Sequence, residues 1–186
     1  MVMHSGTLEI HGDVGKVTGY SAKGGTFNIL GNSVDRGWVC AVSDPRGPGL
    51  EVNLVGTAYE HLCQAFMGGS VILLGLFRRY DGILHQMESP YGGAKILAGA
   101  SAGEVIFYDP QKRLEEAQYK GCAVQPIDDK KWQEIITRLM KLERIFDLGF
   151  SRENSHLTIK IDGHLRTITP ENFRWIIPKG ELEGYH

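Results

Sequence analysis

The chain has 186 residues, of which 42% are hydrophobic, and its formal net charge at pH 7 is −2. This length and composition allow one domain with an appendage, and they lack the basic stripe that nucleic-acid binding uses. The longest apolar runs are far shorter than a membrane span. With no evident signal peptide and only three widely spaced cysteines, the sequence predicts a cytoplasmic protein.

A glycine-bounded phrase recurs five times in the first hundred residues. The copies read SGTLEIHG, GGTFNILG, PGLEVNLVG, GGSVILLG and GGAKILAG. Their closing glycines are Gly12, Gly31, Gly56, Gly75 and Gly99. A period of about twenty residues with one strand-length segment per period is typical of a solenoid that adds one coil per repeat.

Alternating residues in successive copies predict ladders of stacked side chains inside the coil. The inward pairs are Leu8 and Ile10, Phe27 and Ile29, Val52 and Leu54, Val71 and Leu73, and Lys95 and Leu97. Lys95 departs from this pattern, unless the fifth segment is shifted by one residue so that Ile96 points inward. An antiparallel sandwich with glycine-rich hairpins is the alternative, but a sandwich does not need one glycine phrase repeated in register. We therefore predict an all-β parallel β-helix over residues 1–110, with a sixth strand at 104–109.

The glycine rhythm stops after Pro110, and residues 111–186 are predicted to form a C-terminal helix, a β-hairpin and a tail that pack on or cap the solenoid. Apolar residues recur near a period of 3.6 across 129–148, after a capping Asp128 or Asp129 and before Gly149. Because open solenoid ends expose unpaired strand edges, we expect this helix to shield part of the coil.

A hairpin is predicted over residues 156–169. Two runs of alternating apolar residues flank Asp162 and Gly163, which suit a two-residue type I′ turn.

One string, Gly99 to Gly103, matches the G-x-S-x-G pattern of a hydrolase nucleophile elbow and would make Ser101 the nucleophile. Asp109, His156 and His164 are its candidate partners. An elbow needs a strand, a turn and then a helix, whereas a further apparent strand follows this serine. The context favours a coil corner over an esterase-like active site.

The remaining polar residues show no spacing that indicates a metal or phosphate site. The seven histidines lack any motif that places two ligands on one face. Asp13, Asp35, Asp81 and Asp109 lie near repeat corners, where carboxylates cap turns. We therefore assign no catalytic, cofactor-binding or metal-binding residues.

The run from Gly12 to Gly37 resembles the repeat of the GXGXG domain of the glutamate synthase large subunit, and is similar to the repeat that forms one of the subunits of formylmethanofuran dehydrogenase. The matching residues are Gly12, Asp13, Val14, Gly15, Gly24, Gly25, Gly31, Asn32, Asp35 and Arg36. The resemblance covers residues 5–109, and the later coils keep only the doubled glycines. It implies a right-handed, single-stranded parallel β-helix.

The resemblance also implies a non-catalytic scaffold subunit of a glutamate synthase-like complex. The expected partners are an amidotransferase chain and an FMN-synthase chain, with FMN and an iron–sulfur cluster bound by those chains and none by this one. A scaffold like the repeat-bearing subunit of a formylmethanofuran dehydrogenase/formyltransferase complex is the alternative. Exposed coil ends also favour a homo-oligomer.

Overall fold

The computed structural model describes residues 3–44, 47, 49–153 and 156–179. One long helix, α1 (Asp129–Phe146), accompanies twelve strands. The strands are β1 (Thr7–Ile10), β2 (Gly25–Ile29), β3 (Leu50–Leu54), β4 (Met67–Leu73), β5 (Leu76–Arg78), β6 (Leu84–Gln86), β7 (Ala102–Tyr108), β8 (Cys122–Gln125), β9 (Phe150–Glu153), β10 (His156–Ile161), β11 (His164–Ile168) and β12 (Phe173–Pro178). Two short 3-10 helices span Glu116–Tyr119 and Pro170–Asn172.

Seven strands form the main sheet, in the spatial order β1, β2, β3, β4, β7, β12, β8. The first four repeat segments pair in parallel, and Leu8, Phe27, Val52 and Val71 are successive register partners. The stacking predicted for these four segments is therefore confirmed, but its enclosure inside a coil is not, since Leu8 is 43% exposed. The repeated phrase produces the stacking because each copy presents the same alternation of side chains to its neighbour.

The fifth segment does not join the sheet as a strand. β4 pairs instead with β7, where Val105 takes the place beside Val71. Lys95 is exposed, while Ile96 is buried and forms a single parallel bridge with Leu62. A lysine in the apolar ladder would place an unpaired charge in the core, so the segment enters a loop and Ile96 supplies the buried side chain.

The predicted fold class is wrong. The protein is a mixed α/β structure and not an all-β, right-handed parallel β-helix solenoid. The main sheet is mixed because β12 runs antiparallel to both β7 and β8. An 18-residue helix and two smaller antiparallel sheets, β5–β6 and β9–β10–β11, complete the fold. Backbone groups at the β7 side of the sheet pair with a C-terminal strand rather than with a further coil.

The helix begins where its cap was predicted. Asp128 Oδ1 accepts a hydrogen bond from the backbone N–H of Lys131 at 2.7 Å. The helix ends at Phe146, before the predicted end at Gly149. Asp147 adopts the left-handed conformation with φ of 52° and closes the last turn.

The predicted hairpin is confirmed as β10 and β11. Asp162 and Gly163 have φ of 54° and 78°, which a type I′ turn requires.

The sheet has a core on each face. On one face its apolar ladder packs against loops between the strands, which contribute large side chains such as Trp38, Phe66 and Tyr91. On the other face α1 and the β9–β10–β11 sheet cover residues such as Ile72 and Ile106. We call the first side the loop face and the second the helix face.

Side chains at the repeat corners link one turn to the next. Asp13 Oδ1 accepts the Asn32 N–H at 2.7 Å, and Asn32 Oδ1 accepts the Thr57 N–H at 3.0 Å. Gly31 and Gly56, which precede Asn32 and Thr57, let these turns approach closely. A Cβ on Gly56 would lie 2.7 Å from the carbonyl carbon of Gly31 and would also meet the Asn32 side chain.

Replacing Gly56 by alanine should lower the free energy of unfolding by about 1–3 kcal/mol, because the new methyl group collides with the backbone of the adjacent turn. Gly12→Ala is the matched control, since a Cβ on Gly12 meets no atom within 4 Å. Urea unfolding of both variants measures the difference. Equal destabilisation of the two would contradict the close stacking of the turns.

Candidate functional site

A groove of about 700 Å³ lies between the first half of α1 and the helix face of the sheet. Its floor is a polar row of register partners, Glu51 on β3, Ser70 on β4 and Glu104 on β7. The helix contributes Lys130, Gln133, Glu134, Thr137 and Arg138. Residues two positions along the strands, Asn28 and Asn53, form a second polar row beside the first. We call the two rows and the helix residues that contact them the polar cluster.

Arg138 is the central residue of the polar cluster and is only 7% exposed. Its Nε donates to Asn53 Oδ1 at 2.6 Å, its Nη1 to Ser70 Oγ at 2.5 Å, and its Nη2 to the Val52 carbonyl oxygen at 2.5 Å. Burial lowers the pKa of Arg138, while the carboxylates of Glu51, Glu104 and Glu134 oppose that shift. All three guanidinium nitrogens therefore donate hydrogen bonds to residues of the sheet.

Glu104 joins the same network from β7. Its Oε1 accepts hydrogen bonds from Ser70 Oγ at 2.6 Å and from Lys131 Nζ at 3.0 Å. Burial lowers the pKa of Lys131, but its bonds to Glu134 and Glu104 outweigh that effect and raise the pKa above the ordinary value. The Lys131 ammonium also lies 4.6 Å from the centre of the Trp175 ring, a cation–π distance.

Glu51 completes the cluster at its β3 end. Its Oε1 accepts from Asn53 Nδ2 at 2.9 Å and from Lys141 Nζ at 3.1 Å, and the same Asn53 Nδ2 donates to Asn28 Oδ1 at 2.8 Å. Burial raises the pKa of Glu51, but the charge of Arg138 and the bonds from Asn53 and Lys141 bring it below the ordinary value. The carboxylate is therefore held in its charged form.

These contacts determine what the groove can do chemically. The Ser70 hydroxyl oxygen accepts a hydrogen bond from the Arg138 guanidinium, and its proton is donated to the Glu104 carboxylate. Both hydrogen-bonding functions of the hydroxyl are therefore used within the cluster. The carboxylates are paired with lysines, and the guanidinium is paired with the sheet. The arrangement attaches α1 to the sheet in one register through a buried polar network, in which Asn28 Nδ2 is buried without a hydrogen-bond partner among the described residues.

The structure places Ser101 in an exposed position immediately before β7, and a strand follows it. Its candidate partner Asp109 follows the far end of that strand, about 25 Å away at the rise of an extended chain. Asp109 is buried. Its carboxylate accepts a hydrogen bond from the Arg113 backbone N–H and forms an ion pair with Arg174. The sequence pattern therefore marks a corner leading into a strand, and Ser101 and Asp109 are not brought together.

The histidines are dispersed over the fold. His164 and His156 lie on the hairpin strands, His61 Nδ1 is 3.2 Å from Asp35 Oδ1, and His85 Nδ1 is 2.7 Å from Asp162 Oδ1. Within the described ranges, no group of three His, Cys, Asp or Glu side chains is placed to hold a metal ion.

The turn-capping role predicted for acidic residues is confirmed at two positions. Asp81 accepts the Ile83 N–H at 2.9 Å, and Asp109 accepts the backbone N–H groups of Arg113 and Leu114. Asp13 instead accepts the Asn32 N–H from the next turn, and Asp35 contacts His61.

A second groove, of about 340 Å³, opens on the loop face. We call it the loop-face groove; it is lined by Val17, Tyr20, Arg36, Val39, Cys40, Gln64 and Ala65. Tyr20 is 52% exposed and Val17 is 44% exposed. The groove follows the stacking of the repeats, because Ser21 and Cys40 donate backbone N–H groups to Val39 and Gln64 in the next loop.

Two more exposed apolar side chains lie on these loops. Val34 and Tyr59, each 43% exposed, follow Ser33 and Ala58, which are bridge partners. They therefore occupy equivalent places in successive repeats and add exposed apolar surface to these loops.

Comparison of the chain with known proteins found no similar sequence or structure. No protein-family model matches the chain, and no curated protein or solved structure is significantly similar to it. In the part of the chain that the structure describes, no helix is both long and apolar enough to cross a membrane.

The residues of both grooves were not predicted from the sequence, although signals for some are present. Asn28 and Asn53 occupy the same place in two copies of the repeated phrase, and Arg138 interrupts the apolar stripe of the helix. A polar residue repeated on one strand face, together with a single arginine on the buried face of a helix, indicates a polar contact between the two.

Proposed function

We propose that the chain is a non-catalytic assembly subunit that binds a partner protein through the loop-face groove. The observation that carries this proposal is the exposure of Tyr20 and Val17 in the groove, together with the exposure of Val34 and Tyr59 at equivalent places in two of the stacked loops. Exposed apolar side chains gathered on one surface are typical of protein-binding sites.

The composition of the groove suits a protein surface. Tyrosine and arginine are enriched at the centres of interfaces, where an aromatic ring supplies contact area and a polar tip can hydrogen-bond. Tyr20 and Arg36 line the groove together, and the left-handed backbone at Arg36, with φ of 52°, fixes where its side chain starts. A preformed surface of this kind binds with little cost of ordering.

The partner class comes from the motif resemblance alone. The parallel β-helix that this resemblance implied is not the observed fold, so the prediction depends on the residues from Gly12 to Arg36. On that basis the partners are an amidotransferase chain and an FMN-synthase chain of a glutamate synthase-like complex, which would bind the FMN and the iron–sulfur cluster. The cytoplasmic location stays a prediction.

The experiment is affinity purification of the tagged full-length chain from its own cell. We expect an amidotransferase and an FMN protein to remain bound to the unchanged chain, and the double variant Tyr20→Ser, Tyr59→Ser to lose at least nine-tenths of both, since interface tyrosines contribute a few kcal/mol each. Tyr80→Ser is the matched control, because Tyr80 is fully exposed on the β5–β6 hairpin.

Three outcomes decide against parts of the proposal. Recovery of the chain alone would remove the assembly role. Equal losses in the control and the double variant would remove the groove as the binding surface. Recovery of a molybdenum or tungsten enzyme with its formyltransferase would replace the glutamate synthase-like partners with a formylmethanofuran dehydrogenase complex.

A further inference from the structure

The strand β1 forms an open edge of the main sheet. Among the described residues it pairs with β2 alone, whereas the other end of the parallel strands is continued by β12 and β8. Leu8 on this edge is 43% exposed although its register partner Phe27 is buried. The apolar ladder of the loop face therefore reaches the edge of the sheet and ends there against solvent.

The hydrogen bonds to β2 determine which backbone groups of β1 point outward. Thr26 donates its N–H to the Gly6 carbonyl at 2.9 Å, and Leu30 donates to the Ile10 carbonyl at 2.9 Å. In a parallel ladder with this register, the even-numbered residues of β1 bond to β2. The N–H and C=O groups of Thr7 and Glu9 therefore point away from the sheet, as the bonding groups of an unfilled edge.

We infer that a second copy of the chain covers this edge, with the two β1 strands antiparallel about a two-fold axis at Leu8. In this register Thr7 exchanges hydrogen bonds with Glu9 of the second copy, and the two Leu8 side chains face each other as a non-hydrogen-bonded pair. The two-fold axis is perpendicular to the sheet, so both loop faces lie on the same side. The apolar ladder then continues from one copy into the other.

Charge selects this register over its neighbour. A two-fold axis at Glu9 would place two carboxylates directly opposite each other, which is destabilising. With the axis at Leu8, each Glu9 carboxylate lies instead beside the uncharged Thr7 of the second copy.

The test uses the purified full chain without any partner, so it is independent of the loop-face groove. Sedimentation equilibrium should give about twice the 20.6 kDa mass of one chain. Leu8→Lys places two ammonium groups opposite each other, and Glu9→Pro removes an outward N–H without breaking a bond to β2. Each should restore the single-chain mass. Val124→Lys is the control, because Val124 is 48% exposed on β8 at the opposite edge.

Disulfide formation tests the register itself. Facing residues of a non-hydrogen-bonded pair have Cβ atoms about 4.5–5.5 Å apart, close enough to adjust to a disulfide. Under mild oxidation Leu8→Cys should therefore form a covalent dimer, and Glu9→Cys and Val124→Cys should not.

The inference is overturned if the unchanged chain has the single-chain mass at every concentration. It is also overturned if neither Leu8→Lys nor Glu9→Pro reduces a double mass, or if Glu9→Cys cross-links as readily as Leu8→Cys. Circular dichroism of each variant confirms that a changed mass reflects lost association rather than lost folding.

Discussion

Replacing Arg138 by methionine should lower the free energy of unfolding by about 3–5 kcal/mol, the cost of removing one member of a buried charged network. The change removes the Arg138 donors to Asn53 Oδ1 and the Val52 carbonyl. It also removes a buried positive charge that acts on Glu51 and Glu104, although these carboxylates keep their ion pairs with Lys141 and Lys131. Unsatisfied buried acceptors cost more than the net value of the bonds they lose. Chemical denaturation with linear extrapolation measures the change.

The matched control is Arg144→Met on the same helix. Arg144 is exposed and donates to the Met140 carbonyl one turn earlier, so its replacement should change stability by less than about 0.5 kcal/mol. Arg138→Lys keeps the charge but not the fork of donors, and it should fall between the two. If Arg138→Met were as stable as Arg144→Met, the polar cluster would not be what attaches α1 to the sheet.

The repeated phrase predicted the parallel part of the sheet because it is a local pattern with a local consequence. Each copy alternates apolar residues between glycines, and alternation of that kind specifies a strand with one buried face. The register of Leu8, Phe27, Val52 and Val71 followed directly. The helix and the hairpin were predictable for the same reason, since caps and turns such as Asp128 and Asp162–Gly163 act within a few residues.

The fold class was not predictable from those patterns. It depends on β12, which pairs with β7 although the two strands are distant in sequence. The tail segment that forms β12 has no glycine phrase, and nothing local says which edge it joins. Pairing between strands so far apart in sequence depends on which strand is left with unpaired backbone groups once the rest of the chain has folded.

The loops hid a second regularity. Non-glycine residues with positive φ recur at equivalent places in three successive loops, as Val17, Arg36 and His61, and again as Ser21, Cys40 and Ala65. Left-handed backbone is predicted in a sequence from glycine and asparagine, so these positions gave no signal. Their conformation is maintained by hydrogen bonds to the neighbouring loop, such as Cys40 N–H to the Gln64 carbonyl at 2.9 Å.

The polar cluster shows the same division between local and distant information. The helix pattern correctly placed Ile135, Leu139 and Leu142 on the buried face, and Arg138 lies on that face with them. An arginine within an apolar stripe needs acceptors in the layer it faces. Its partner Asn53 is 85 positions away. The sequence therefore indicates that Arg138 needs a buried hydrogen-bond acceptor, but it does not identify which residue provides one.

Leu139→Asp should cost about 5 kcal/mol or more and unfold most of the chain at ambient temperature, because stability of small domains is of that order. Leu139 has no exposed surface and packs in the helix-face core, so the substitution combines a lost aliphatic side chain with a buried, unpaired carboxylate. Ile136→Asp, at a position that lies one turn earlier and is 3% exposed, should behave in the same way.

Gln133→Asp, at an exposed position of the same helix where it lines the open groove, is the control for both, and it should change the melting temperature by no more than a few degrees. Thermal unfolding followed by circular dichroism distinguishes two arrangements. If the sheet and α1 share one core, the aspartate variants lose strand and helix signal together. If the strands melted unchanged while the helix signal alone disappeared, the helix would be an appendage, and the second face of the sheet would not depend on it.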